Sequence, residues 1–166
     1  MIRTAILTIS DSAHSGARAD ASGPAVAALC SELVWSVRHT QVLPDEQAMV
    51  ADALRTLADS GRYDLILTTG GTGITARDIT PEATRVILQK ELPGLSELMR
   101  EAGLKFTRRA VLSRSLAGTR AATLIVNLPG SPKGAHQSLN AIVDLVPHIV
   151  ELLRGNTAHD EDSKLS

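Results

Sequence analysis

A run of glycine and threonine between two apolar segments is the part of this sequence best suited to chemistry. Gly70, Gly71, Thr72 and Gly73 follow the pattern of a buried strand and precede a helix start. Glycine permits backbone conformations closed to other residues, so successive amides can converge on an anion, and a threonine hydroxyl adds a donor without charge. A tight turn is the alternative, but it explains one glycine rather than three. Because the run lacks the Gly-Lys-Ser/Thr of a P-loop, it predicts a phosphate site of another kind.

Two aspartates stand where a metal ion could be held against a phosphate. Asp78 ends the glycine segment, and a carboxylate that faces a polyphosphate needs a divalent cation between them. Asp45 follows a second predicted strand, in the sequence Pro44-Asp45-Glu46. Each aspartate could instead be a helix N-cap, although Thr80 is expected to cap the helix after Asp78. Around one Mg²⁺, the two carboxylates would suit phosphoryl or nucleotidyl transfer.

Three further segments offer weaker anion donors. The stretch from residue 127 to 134 links a strand to a helix, and its hydroxyl, ammonium and helix amides make a second anion site unless it is a plain turn. An isolated arginine in a strand, such as the one at position 114, is either a phosphate donor or a salt-bridge partner. The candidates from these segments are Ser10, Asp11, Ser12, Ser113, Arg114, Pro129, Gly130, Ser131 and Lys133.

Composition excludes several classes of function. A net charge of -1 gives no field for nucleic acid or an anionic membrane, and three aromatic residues provide no platform for base stacking. No apolar run approaches the ~18 residues that span a bilayer, and no signal peptide precedes the first strand, so we expect a cytoplasmic protein. Cys30 lies in an apolar helical stripe and is interpreted as a core residue. The histidines lack zinc-ligand spacing.

Apolar strands alternate with amphipathic helices along most of the chain. The pattern predicts strands at residues 4–9, 34–43, 63–69, 110–116 and 122–128, with helices between them and a last helix that Pro147 kinks or splits. It indicates an α/β fold: a three-layer, doubly wound, mainly parallel sheet with one antiparallel strand and helices on both faces. Residues 1–154 form a single domain in this interpretation, and residues 155–166 a flexible tail. Ligands of such folds bind beyond the carboxyl ends of the strands, where the candidate loops lie.

The motifs in this order resemble the molybdopterin adenylyltransferase family, which comprises the bacterial MogA and MoaB proteins and the G domains of plant Cnx and animal gephyrin proteins. The resemblance covers nearly the whole chain through Arg154. The segments that carry it are residues 7–12, 20–23, 43–46, 67–73, 77–84, 112–114, 117–120 and 124–134.

The resemblance implies a homotrimer that binds molybdopterin and Mg-ATP, transfers AMP to the terminal phosphate of the pterin and releases pyrophosphate. The product would pass to a downstream molybdate-insertion protein. Its two essential aspartates correspond to Asp45 and Asp78, as catalytic residues and Mg²⁺ ligands. The glycine loop would line the nucleotide and phosphate pocket. Ser113, Arg114 and the loop with Ser131 and Lys133 would lie near the pterin or its phosphate.

Two alternatives to the adenylyltransferase remain open at this point. MoaB-type relatives tend to lack the Pro-Asp-Glu motif and bind pterin without adenylylating it, so Asp45 favours an active enzyme over a carrier. The third possibility is a hydrolase of a dinucleotide or pyridine nucleotide, because such enzymes carry a related domain. The sequence also departs from adenylylating relatives at residues 74–76 (Ile-Thr-Ala), where many have a proline before the Arg-Asp pair.

Overall fold

The computed structural model describes residues 1–157, so most of the predicted tail at residues 155–166 lies outside the described residues. This part of the chain forms six strands, seven α-helices and one 3₁₀ helix. The strands are β1 (Arg3–Ile9), β2 (Ser36–Leu43), β3 (Leu65–Thr69), β4 (Lys90–Glu91), β5 (Ala117–Arg120) and β6 (Thr123–Leu128). The helices are α1 (Asp11–Ser15), α2 (Ser22–Glu32), α3 (Gln47–Asp59), α4 (Thr80–Arg85), α5 (Pro93–Leu104), α6 (Pro132–Asn140) and α7 (Val146–Leu153).

The six strands form one sheet in the order β2-β1-β3-β6-β5-β4. Strands β1, β2, β3 and β6 pair in parallel, and β5 is antiparallel to both of its neighbours. The predicted mainly parallel sheet with one antiparallel strand is therefore confirmed. Its parallel strands end together, which brings the loops after β1, β2, β3 and β6 to one edge of the sheet.

Two apolar cores make the three-layer arrangement. Helices α2, α5, α6 and α7 cover one sheet face, where Ile6, Leu67 and Val126 are buried. Helices α3 and α4 cover the opposite face, where Leu7 and Ile66 are buried. All five residues of β3 are buried, as expected for a central strand covered on both faces. No helix within residues 1–157 combines the length and apolar character needed to cross a bilayer.

The strand predicted at residues 110–116 is wrong. A 3₁₀ helix spans Arg108–Leu112, capped by the Thr107 hydroxyl, which accepts from the Arg109 amide at 3.3 Å. Val111 and Leu112 are exposed, so this apolar run is not a buried strand. The pairing strand β5 begins only at Ala117.

The remaining differences between the prediction and the structure concern where strands and helices begin and end. Strand β2 begins two residues later than predicted, because Val34 adopts a positive φ of 60° and turns the chain. Helix α4 ends at Arg85, and the two-residue strand β4 follows, too short to leave a periodic signal. Pro147 splits the last predicted helix, and it lies in the first turn of α7, where a missing amide costs no hydrogen bond.

A buried carboxylate ties the chain ends to the sheet at the edge opposite these loops. Asp64, with a side chain 2% exposed, accepts hydrogen bonds from the Arg3 amide and guanidinium and from Arg154. Burial opposes its ionisation, but these hydrogen bonds outweigh burial and hold the pKa of Asp64 well below its usual range.

We expect Asp64→Asn to lower the free energy of unfolding at neutral pH by about 1–3 kcal/mol, since it weakens charge-assisted hydrogen bonds. A depressed folded pKa gives stability that is present above the ordinary aspartate pKa of 3.8 and is lost as pH falls below it. Urea unfolding should therefore show a gap between wild type and variant that narrows at acid pH. Asp52→Asn, at an exposed pair with Arg55, should change stability by less than about 0.5 kcal/mol at either pH. A gap for Asp64→Asn that stays constant with pH would contradict this assignment.

Candidate active site

The glycine loop is locked against its neighbours by its own backbone. Gly70 has φ +99°, and a Cβ there would lie 2.3 Å from the carbonyl oxygen of Ile9. Gly71 has φ +67°, and a Cβ there would lie 2.3 Å from the Thr80 hydroxyl. Only glycine accommodates both the backbone conformation and the close approach at these positions. The loop after β3 therefore lies directly against the end of β1.

Thr80 does not cap α4 as expected. Its hydroxyl donates to the Gly70 carbonyl at 2.8 Å and its amide donates to the Gly71 carbonyl at 3.1 Å, while Ile79 occupies the N-cap position without a side-chain cap. On the other side, the Thr69 hydroxyl donates to the Pro129 carbonyl at 2.7 Å. These bonds join the glycine loop to the start of α4 and to the loop after β6.

Asp45 is not a helix cap. Glu46 occupies the N-cap position of α3 and makes no side-chain cap, whereas the Asp45 carboxylate accepts from the Asp11 amide at 2.8 Å through Oδ2. In return, the Asp11 carboxylate accepts from the Asp45 amide at 2.9 Å. The Oδ1 oxygen of Asp45 would lie 3.2 Å from a Cβ at Gly71, so this carboxylate lies directly against the glycine loop.

Asp78 also has no capping role. Its Oδ2 accepts from the amide and hydroxyl of Thr75 at 2.9 and 2.8 Å and closes the end of the glycine segment. A Cβ at Gly73 would meet the same oxygen at 2.7 Å. Neither Asp45 nor Asp78 is therefore a helix cap, and both side chains lie beside the glycine loop.

The pKa values of Asp45 and Asp11 are shifted in opposite directions. Burial, with the nearby charges of Asp11 and Asp78, raises the pKa of Asp45 despite the Asp11 amide and the charge of Arg77. Hydrogen bonds from Arg77 and from the Asp45 amide lower the pKa of Asp11. Arg77 is thus committed to Asp11 and to Glu46, which leaves the Asp45 charge incompletely balanced. A cation beside Asp45 would stabilise its ionised form.

An open cleft of about 620 Å³, which we call the carboxylate cleft, joins these loops. Its charged lining residues are Asp20, Asp45, Asp78 and the exposed Arg18. Asp20 is fixed by hydrogen bonds from the Thr8 hydroxyl and the Gly23 amide at 2.8 and 3.0 Å. The predicted residues that line this cleft are Ser10, Asp45, Gly70, Gly71, Asp78, Gly130 and Ser131.

A second cavity of about 370 Å³, which we call the arginine cavity, lies on the far side of the loop after β6. Its charged lining residues are Arg100 and Arg109, and Ser131 lines both spaces. The predicted residues that line it are Thr72, Gly73, Ser113, Pro129 and Ser131. The residues predicted from the sequence therefore line part of each space, and Ser131 lies between the two spaces.

Four predicted residues line neither space. Ser12 lies in α1 with its hydroxyl 3.2 Å from the Ser10 hydroxyl, and Asp11 supports Asp45. Lys133 lies on a separate surface groove between α5 and α6. The Arg114 guanidinium donates to the carbonyls of Gly73 and Asp78 and to the Glu82 carboxylate, so in this structure it positions the loop.

Arg18, Asp20, Arg100 and Arg109 line the two spaces but were not predicted. Asp20 lies within a motif that carried the family resemblance, which was the available signal. The arginines gave none, because nothing in their spacing links residues after α1, in α5 and in the 3₁₀ helix. Within residues 1–157, no three His, Cys, Asp or Glu side chains form a metal-binding group.

A mainly parallel α/β sheet with a glycine loop and two aspartates at its carboxyl edge is the arrangement typical of proteins that bind phosphorylated ligands at their strand ends. A family profile described as "Probable molybdopterin binding domain" matches residues 5–148. This chain belongs to that molybdopterin-binding family, as its motifs predicted.

Individual relatives agree with the family. The chain is 42% identical over 157 residues to a molybdopterin adenylyltransferase of Helicobacter pylori strain J99, an alignment that covers 93% of this chain and 89% of the relative. It is 38% identical to the enzyme of that name from Escherichia coli K12, covering 93% and 86%. Its structure is similar to the molybdopterin biosynthesis enzyme MoaB of Thermus thermophilus, with TM-score 0.88, 48% identity and coverage of 93% and 98%.

Proposed function

We propose that this protein is a molybdopterin adenylyltransferase that uses Mg²⁺ and ATP in molybdenum cofactor biosynthesis. The observation that carries the proposal is the placement of Asp45 and Asp78. Both side chains line one cleft beside the glycine loop, and neither caps the helix that follows it. The named relatives supply the reaction class, and this arrangement supplies the means to perform it.

The proposed reaction needs no nucleophile from the protein. An oxygen of the terminal phosphate of molybdopterin attacks the α-phosphorus of ATP, a new phosphoanhydride bond forms, and the bond from the α-phosphorus to the oxygen bridging to the β-phosphorus breaks. Pyrophosphate leaves. The protein has to align two phosphates and balance their charge, which is the usual requirement of phosphoryl-group chemistry. Burial raises the pKa of the Cys30 thiol to about 12, so that side chain has no nucleophilic role.

The donors in the carboxylate cleft fit Mg²⁺. This ion usually keeps several waters and takes one or two carboxylates together with substrate phosphates, and Asp45 and Asp78 provide two. Three carboxylates and one arginine line the cleft, so a polyphosphate would be repelled without a cation. Burial, with the charges of Asp11 and Asp78, raises the pKa of Asp45, and a cation bound beside it would oppose this effect. Bound Mg²⁺ would neutralise phosphate charge at this position.

We assign the carboxylate cleft to the nucleotide and the arginine cavity to the pterin. The first space is lined by Gly70, Gly71, Arg18 and the proposed Mg²⁺ ligands, and the triphosphate would lie there. The second is largely apolar with two cations, which suits a ring system that carries a phosphate. Ser131 lines both, so the two reacting phosphates would meet beside it.

A carrier that binds molybdopterin without chemistry is the second candidate, because the matching family profile is described only as a molybdopterin-binding domain. An assay of ATP consumption with and without molybdopterin separates the candidates. The enzyme consumes ATP only when Mg²⁺ and molybdopterin are both present. A carrier binds molybdopterin and leaves ATP unchanged. The third possibility, a hydrolase of a dinucleotide or pyridine nucleotide, would consume nucleotide in the absence of pterin.

We further propose that residues 1–154 act as one domain, that the protein works as a homotrimer in the cytoplasm, and that it passes its product to a molybdate-insertion protein. Four large apolar side chains, Leu98, Leu104, Phe106 and Val111, are 39–61% exposed on α5 and the residues after it. Exposed apolar patches commonly mark interfaces between proteins. Light scattering should give three times the 17.6 kDa chain mass; a monomeric mass would contradict the trimer.

A further inference from the structure

The two spaces of the site have opposite charge. Among residues 1–157, three of the four charged residues that line the carboxylate cleft are acidic, whereas the arginine cavity is lined by Arg100 and Arg109 and by no carboxylate. This separation matters because the whole chain has a net charge of only -1. Local side chains, and not the field of the whole protein, must therefore select an anion for the second space.

The two arginines of the cavity differ in their contacts with the rest of the protein. Arg100 donates to the Ser113 carbonyl at 3.2 Å, so it helps to hold the cavity wall. Arg109 lies in the exposed 3₁₀ helix, and among residues 1–157 its side chain has no salt bridge with a carboxylate. Within this described part of the chain, no carboxylate therefore competes with a ligand for the Arg109 guanidinium.

The rest of the cavity suits a ligand with an extended apolar surface. Ile74, Met99 and Leu112 contribute to its lining, and Ile74 and Leu112 are 71% and 52% exposed at the surface. The volume of about 370 Å³ falls in the range of small-molecule sites. A flat ring would cover these side chains, while a phosphate on it would require a cationic partner.

We propose that Arg109 is a specificity-determining residue that binds the phosphate of the acceptor in the arginine cavity. Guanidinium is the protein group best matched to phosphate, because its planar fork donates paired hydrogen bonds. That the acceptor is molybdopterin rests on the proposed function. The role of Arg109 in recognising a phosphorylated ligand rests on the cavity itself.

The test measures binding of molybdopterin and of its dephosphorylated form, by quenching of pterin fluorescence, in the absence of ATP. Arg109→Ala should weaken binding of molybdopterin about tenfold, which corresponds to one charge-assisted contact. It should leave binding of the dephosphorylated pterin unchanged. Arg109→Lys should recover only part of the lost affinity, since it retains the charge but lacks the planar fork that donates paired hydrogen bonds. Arg108→Ala is the matched control, because Arg108 lies in the same 3₁₀ helix but does not line the cavity.

The results separate this inference from the proposed reaction. Equal losses for both pterin forms, or no loss for either, would overturn the role of Arg109 even if adenylyl transfer occurs. A loss confined to the phosphorylated form supports the role even if the protein consumes no ATP, in which case only the proposed reaction fails. Failure of Arg109→Lys to recover affinity would contradict a role based on charge.

Discussion

Replacing Asp45 with Asn is expected to lower the rate of adenylyl transfer about 10²–10³-fold, the usual effect of removing one positioned electrostatic group from a site. The side-chain oxygen of the asparagine can still accept the hydrogen bond from the backbone amide of Asp11, so the loop geometry should remain. What is lost is the negative charge that we assign to Mg²⁺. The rate should be measured from pyrophosphate release at saturating molybdopterin, over a range of Mg²⁺ concentrations.

The same variant should not be less stable than wild type. The folded pKa of Asp45 is raised, so its contribution to stability is present below the ordinary aspartate pKa and is lost as pH rises through the folded value. At neutral pH the ionised carboxylate is unfavourable to the metal-free protein, and Asn removes this charge. An inactive variant with an unchanged or higher melting temperature would thus separate function from folding. Asp52→Asn, on α3 outside the cleft, should retain full activity.

A substantial residual rate in Asp45→Asn would mean that the metal site is wrongly assigned. Asp78→Asn should show a loss of similar size, because both carboxylates would share the ion. If only one of the two variants lost activity, the shared site would be contradicted. Equal losses that excess Mg²⁺ partly restores would agree with it.

Replacing Gly70 with Ala is expected to destabilise the protein by about 2–5 kcal/mol. The positive φ costs a non-glycine residue roughly 1–2 kcal/mol, and the new methyl group would meet the Ile9 carbonyl, which adds an overpacking cost of about 1–3 kcal/mol. For a chain of this size, the melting temperature should fall by about 4–20 °C. Transfer activity should fall as well, because the loop beside Asp45 has to move.

Gly61→Ala is the matched control for that substitution. Gly61 also has a positive φ, of 68°, but a Cβ there meets nothing within 4 Å. It should therefore show the conformational cost alone, roughly 1–2 kcal/mol, with full activity. If the two variants were equally destabilised, the close contact between the glycine loop and the end of β1 would have no energetic importance.

The fold was predictable because its strongest signals are local. The central strands β1, β3 and β6 are near-continuous apolar runs, and such runs have few alternatives to a buried parallel sheet. The strand predicted at residues 110–116 was wrong because its local signal is weak. Its apolar residues give no clear period, and the Thr107 cap and the contacts of Arg114 with the glycine loop decide its path. The hydrogen bond from Arg114 to Gly73 joins residues 41 positions apart, and no local pattern indicates it.

The site was predictable in its loops but not in its detailed contacts. Position after a strand was enough to bring Asp45 and Asp78 to one cleft. Sequence reasoning could not decide whether Asp45 caps α3, because that depends on the Asp11 amide, 34 residues away. Arg114 shows the opposite case: it was expected near a ligand phosphate, and the structure commits its guanidinium to Glu82 and to loop carbonyls. Its direct contact with a ligand stays a prediction.

The most direct test of the account follows the α-phosphorus of ATP through a single turnover. Purified protein is mixed with Mg²⁺, molybdopterin and ATP labelled at the α-phosphorus, and the products are separated. We expect the label to move to molybdopterin, with one unlabelled pyrophosphate released for each pterin labelled, and we expect both products to form about 10²–10³-fold more slowly in Asp45→Asn. Label that remains in ATP while molybdopterin is demonstrably bound, or that appears as free AMP without pterin, would contradict it.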